Sequence, residues 1–228
     1  MTATATEPWT TARHPLARLL RGVAAGQFPQ ADGAWTRVSP WIPTLQAIVG
    51  FTGHTILAVT YDVSDDALID MGATGNEGPF SARVVTGLAG ATGWIGPQQV
   101  LLSALGTGSG NSGELVARPD LARHPFVENA KRIRQDIQVL GTTDAEPDIV
   151  VLGRGVAGVR EVSVHVQRTG HGRGASLFTA ALATVPEAEV VLATTPVNDG
   201  HILSSAIAGG FRPIGGVQLF SNRPEHKL

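Results

Sequence analysis

The chain has 228 residues, a net charge of −2 and no cysteine. That length suits one large domain or two small ones, and 43% hydrophobic against 16% charged residues implies a sizeable core. The charge balance gives no electrostatic basis for nucleic acid or an anionic membrane, and the missing cysteines exclude disulfides, thiolate metal sites and a cysteine nucleophile. No apolar run approaches the roughly 18–20 residues that cross a bilayer. Met1 to Trp9 lacks a basic segment followed by an apolar core, so it reads as a frayed tail rather than a secretion signal. A cytoplasmic protein is expected, and the many glycines and alanines suggest a bacterial source.

In chain order, His14 to Gln27 predicts a helix with Leu16, Leu19, Leu20 and Val23 on one face. Trp35–Val38, Leu45–Val49 and Thr55–Tyr61 read as strands, the last two joined by a turn at Phe51–His54. Ser64 with Asp65 and Asp66 marks a helix start. Phe80 to Ala91 reads as a helix and Gln98–Ala104 as a strand. Gly106–Gly113 reads as a flexible loop and a candidate boundary. A helix runs from Pro119 or Pro125 to Arg134. Strands Gln135–Gly141, Asp148–Gly153 and Glu161–Gln167 then form an antiparallel meander. The remainder alternates: helix 175–185, strand Glu189–Thr194, helix 199–208 and a closing segment Phe211–Phe220. This order predicts an α/β chain with a mixed sheet. Strand 55–61, helix 80–91 and strand 98–104 echo 161–167, 175–185 and 189–194, as a half-repeat that lost its glycine loop would.

Two glycine motifs compete for an anion. Gly153-Arg-Gly-Val-Ala-Gly158 matches the dinucleotide fingerprint G-x-G-x-x-G, which would imply a nicotinamide cofactor. That fingerprint must open a helix, yet the following residues alternate like a strand, so a hairpin is the better reading. Gly170, Gly172 and Gly174 stand differently. A strand with Val162, Val164 and Val166 at alternate positions precedes them, and Leu177, Phe178, Ala181, Leu182 and Val185 follow at helical spacing. Glycines at a helix start let backbone N–H groups and the helix dipole hold a phosphate.

Thr169-Gly-His-Gly-Arg-Gly-Ala-Ser-Leu177 resembles the acetyl-CoA pyrophosphate loop of the GNAT superfamily of N-acetyltransferases. Val197-Asn198 followed by a short helix and Gly210-Phe211 resembles that family's second signature, which leads into a last hairpin. The resemblance covers about residues 97–228 and implies a mostly antiparallel sheet with splayed central parallel strands and flanking helices. Residues 1–96 would then be a divergent portion that walls the acceptor site. The family pattern implies that Thr169, Gly170, His171, Gly172, Arg173, Gly174 and Ala175 surround the pyrophosphate. It further implies that Val164, His165 and Val166 pair with the pantetheine arm, and that Asn198 and Ser204 contact the cofactor.

Acetyl transfer also needs proton traffic. Glu161, His165 and His201 are candidate bases. The family's usual tyrosine acid has Ala206 in its place, which leaves Ser205, Ser204 or a water. Direct transfer from acetyl-CoA to a small-molecule amine or an amino-terminal group, in a ternary complex, is the expected activity. A non-catalytic acyl-CoA-binding module is the alternative. Seven scattered histidines make little case for a metal. Asp62, Asp65, Asp66 and Asp70 read either as an attractant for a cationic amine or as a solvated helix start. Monomer and homodimer are both compatible with the sequence.

Overall fold

A computed structural model describes residues 14–110, 113, 115–144, 147–167, 170 and 172–224. Helix α1 (Pro15–Ala24) has proline in its first turn and is capped by His14, whose Nδ1 accepts from the Leu16 N–H. Leu16, Leu20 and Val23 are buried along it. Strands β1 (Ala34–Val38), β2 (Gln46–Phe51) and β3 (His54–Ala58) follow. Gly53, at φ +79°, makes the tight turn between β2 and β3 that a side chain would strain. Serine side chains start α2 (Asp65–Asp70) and α3 (Ala82–Ala89), and β4 runs from Trp94 to Leu105.

The second half begins with β5 (Val116–Ala117), a 3-10 turn (Pro119–Arg123) and α4 (Pro125–Ile133). The predicted meander is β6 (Gln135–Gly141), β7 (Ile149–Arg154) and β8 (Arg160–His165), all antiparallel neighbours. Then come α5 (Arg173–Thr184), β9 (Val190–Pro196), α6 (Gly200–Ala208) and β10 (Arg212–Ser221). All ten strands form one sheet in the order β1-β3-β2-β10-β4-β9-β8-β7-β6-β5. Among the described residues only β1–β3 and β8–β9 pair in parallel, so the chain is a mixed α/β protein with a mostly antiparallel sheet.

Strand alternation sorts the core onto two faces. Leu101 packs with α1 in one cluster, while its neighbour Leu102 joins α5 in another. In the same way Ile149 and Val151 meet α4, whereas Val150 and Leu152 meet α5. Helices α4 and α5 therefore cover opposite faces of β7 and β8.

Three features differ from the sequence reading. The closing segment is one long strand, not a hairpin. Gly215 lies in that strand where β2 comes close, and an added Cβ there would strike the carbonyl oxygen of Gly50. Strand β4 fills the position between β9 and β10. The echoing units diverge as well: β3 and β4 are separated by β2 and β10, while β8 and β9 are direct parallel neighbours. Lastly, Gly106–Gly110 docks on the end of α5, with N–H bonds from Thr107, Gly108 and Gly110 to Leu182, Val185 and Ala183.

Candidate functional site

The parallel ladder between β8 and β9 begins at Arg160↔Val191 and stops at Val162↔Ala193. Both strands continue, β8 to His165 and β9 to Pro196, but they no longer pair with each other. A cavity of about 870 Å³ opens where they part. Its lining includes Phe126, Asn129 and Ala130 of α4 on one face, and Gly174, Phe178 and Ser205 of α5 and α6 on the other. The gap in the sheet thus joins the two faces.

On the α5 side, Gly170 and Gly172 have positive φ values of +121° and +70°, and among the described residues beyond their chain neighbours no atom lies within 4 Å of where a Cβ would stand on either. Gly172 caps α5 without a side-chain hydrogen bond. The Arg173 N–H bonds to the Gly170 carbonyl, while those of Gly174 and Ala175 make no hydrogen bond among the described residues. By contrast, each of the other five α-helices among the described residues has a capping side chain that accepts a backbone N–H. The open end of α5 is therefore a ready anion cradle facing the cavity. Asp148, buried at 1% exposure, organises the approach to it. One carboxylate oxygen accepts from the Gln167 N–H at 2.8 Å and the other from Arg173 Nε. Arg173 Nη2 also reaches Asp144 at 3.2 Å.

The α4 side is built by alternate residues of β8. Glu161 is buried and bonds Arg134 Nη2 at 2.5 Å, Thr194 Oγ1 at 3.0 Å and the Val156 N–H at 3.2 Å. Arg134 Nη1 donates to Ser163 Oγ at 2.8 Å. The carboxylate thus sits behind Arg134, outside the cavity lining, and ties the strands together where they separate. His165 lines the cavity, with its ring 5.4 Å from both Phe126 and His124. Burial, and next the neighbouring His124, hold its imidazole below the ordinary value of 6.5, against an opposing pull from Asp148. It is therefore a neutral imidazole at neutral pH, able to accept a proton.

Placement of the other sequence candidates is uneven. Val164, Val166, Gly170, Gly172, Arg173, Gly174, His201, Ser204 and Ser205 all line the cavity. Ala175 is half-buried in the first turn of α5, and Asn198 is exposed in the turn before α6, outside the lining. Thr169 and His171 lie outside the described residues. Ala206 is fully buried against the core that holds Phe178 and Phe211, so a tyrosine there would face the core. Ser205 comes so near α5 that a Cβ on Gly174 would fall 2.6 Å from its Oγ. Gly153 and Arg154 end β7 and Gly155–Gly158 make the turn to antiparallel β8, with Val156, Ala157 and Gly158 buried, and the motif opens no α-helix. Sequence reasoning missed Asp148, Arg134, Phe126, Trp94 and Gln99, because β4, α4 with the residue that ends it, and the residue just before β7 bring them together from distant parts of the chain.

No family model and no curated protein matches the chain. Two solved structures are similar to part of it. One, from Novosphingobium aromaticivorans DSM 12444, is named provisionally as an acetyltransferase from the GNAT family. It shares 18% identity over 57% of this chain and 67% of its own, at a TM-score of 0.37. The other is a functionally unknown conserved protein from Staphylococcus epidermidis ATCC 12228, with 13% identity over 63% of this chain and 68% of its own, also at 0.37. Among the described residues no helix is long and apolar enough to cross a membrane, and no group of three or more His, Asp or Glu could hold a metal.

Proposed function

We propose that the chain is an acetyl-CoA-dependent N-acetyltransferase acting on the amine of a small molecule or an amino terminus by direct transfer in a ternary complex. One observation carries the reading: a parallel strand pair that parts beside a glycine-led helix with no capping side chain. Two N–H groups left open at Gly174 and Ala175 and two glycines without neighbours suit a diphosphate. The edge of β8 around Val164 to Val166, freed from β9, suits an extended amide-bearing arm.

Acetyl-CoA supplies an acyl carbon activated as a thioester. Around that carbon His165 takes the proton of the attacking amine, so that a C–N bond forms while the C–S bond breaks. The proton then returns to the departing sulfur, giving an amide and a free thiol. Ser205 or Ser204 donates a hydrogen bond to the sulfur, and a backbone N–H near Val164 faces the developing oxyanion. Glu161 acts through Arg134 as a positioning residue rather than a base.

Acetyl-CoA should raise the melting temperature, by about 2.7 kcal/mol of added stability at a hundredfold excess over Kd. NADH should not; the reverse pattern would overturn the reading. A non-catalytic acyl-CoA-binding module is favoured by one fact, that the only tyrosine, Tyr61, stacks on Arg37 in the N-terminal half rather than lining the cavity. Tight acetyl-CoA binding with no thiol release over a broad amine panel would select that alternative.

A further inference from the structure

The α4 side of the cavity has a chemical character of its own. Its apolar surface comes from Trp94 and Pro97 of β4 and from Phe126, Ala130 and Ile133 at α4. Trp94 folds back over Gly96, where an added Cβ would stand 2.8 Å from the indole, so the bare glycine gives the ring its place. The neighbouring polar side chains, Gln99 and Asn129, are uncharged amides. Both cations of the lining are already neutralised, Arg134 by Glu161 and Arg173 by Asp148 and Asp144. Among the described lining residues Asp199 is the one carboxylate, and its Oδ1 caps α6 by accepting the Ile202 N–H.

An ammonium group brought to this wall would lose water without gaining a counter-charge, which is unfavourable. A flat apolar body loses nothing by the same move and gains aromatic contact. Resting on the acetyl-transfer reading, we propose that the acceptor is a primary monoamine on a flat apolar body, of the arylalkylamine class, seated against Trp94 and Phe126 with its nitrogen at His165. Di- and polyamines are excluded from this wall by their second ammonium.

The test uses the full chain with coenzyme A present, 2-phenylethylamine and spermidine as probes, and calorimetric titration as the readout. 2-Phenylethylamine binds at least about tenfold tighter than spermidine. Trp94→Ala removes that binding and leaves acetyl-CoA affinity unchanged. Asn129→Asp, at an exposed position of α4, places a carboxylate on the wall and shifts the preference about tenfold toward spermidine. Spermidine binding the wild-type chain more tightly, neither amine binding at millimolar concentration, or an Asn129→Asp preference equal to wild type would each overturn the proposal. Failure of acetyl-CoA itself to stabilise the chain would instead overturn the transferase reading, whatever the amines do.

Discussion

Two strand–helix–strand units of this chain look alike on paper and behave differently in the sheet. In β8–α5–β9 the strands are parallel neighbours that part after three residue pairs, and the helix between them starts at an uncapped glycine. In β3–α3–β4 two other strands lie between, and the helix starts at Ser81, whose Oγ accepts the Val84 N–H. The first unit leaves polar backbone open toward a cavity; the second satisfies it internally. Unpaired backbone groups are tolerated only where water or a ligand can reach them, and the proposed cofactor site rests on that difference between the two units.

Glu161 offers the largest test of that contrast, because it holds the parting strands. Glu161→Gln leaves Arg134 charged in a buried setting, and the expected loss is about 3–5 kcal/mol of unfolding stability by urea titration. A variant that kept full stability and lost turnover would restore Glu161 as a base. Gly172→Glu comes next. Space around Gly172 is open, while its φ of +70° strains any side chain by about 1–2 kcal/mol, a loss that urea titration reads separately; at the helix start the carboxylate would oppose a diphosphate. Acetyl-CoA affinity should fall about a hundredfold, the equivalent of one to two charge-assisted hydrogen bonds. Wild-type affinity in a titration would remove α5 from the site.

His165→Gln should lower kcat/KM by about a hundredfold, the lower range for a general base, with acetyl-CoA affinity preserved. In the wild type the acidic limb of the pH profile should fall below 6.5, because burial depresses the imidazole, and the variant should lose that limb. The sign for stability follows from the same depression. Below the ordinary value of 6.5 the unfolded chain binds a proton that the folded chain resists, so stability falls as pH drops and is level above. His14, also held low by burial, adds a slope of the same sign. An acidic limb above 6.5 would assign the base elsewhere.

Period-2 alternation along β8 was legible in advance: Val162 and Val164 join the α5 core, while Glu161, Ser163 and His165 face α4. The glycine-to-helix junction was equally readable, since turn and helix signals are local. What escaped was set by distant register. Arg134 and Glu161 are 27 residues apart, and nothing in either neighbourhood announces the pair. The insertion of β4 between β9 and β10 depends on strand partners that composition does not specify. Gly215 and Gly216 suggest a turn locally, yet Gly215 serves a close approach of strands. Ala206 followed the same rule: its spacing from Gly210 was visible, but its direction depended on how α6 packs against Phe178 and Phe211.

Ser81→Ala is the smallest change and the control for the comparison. Its bond to Val84 N–H is long, at 3.4 Å, so losing it should cost about 0.5–1 kcal/mol, the low end for a cap. No residue of α3 lines the cavity, so acetyl-CoA affinity and any thiol release should match the wild type. Thermal unfolding and a cofactor titration on the same preparation read both quantities. If the variant instead weakened acetyl-CoA binding, the start of α3 would belong to the binding surface, and the two units would be equivalent in function despite their different pairing. If stability alone moves, a satisfied helix start serves the fold and an open one serves a ligand, which is the distinction that α3 and α5 draw within one sheet.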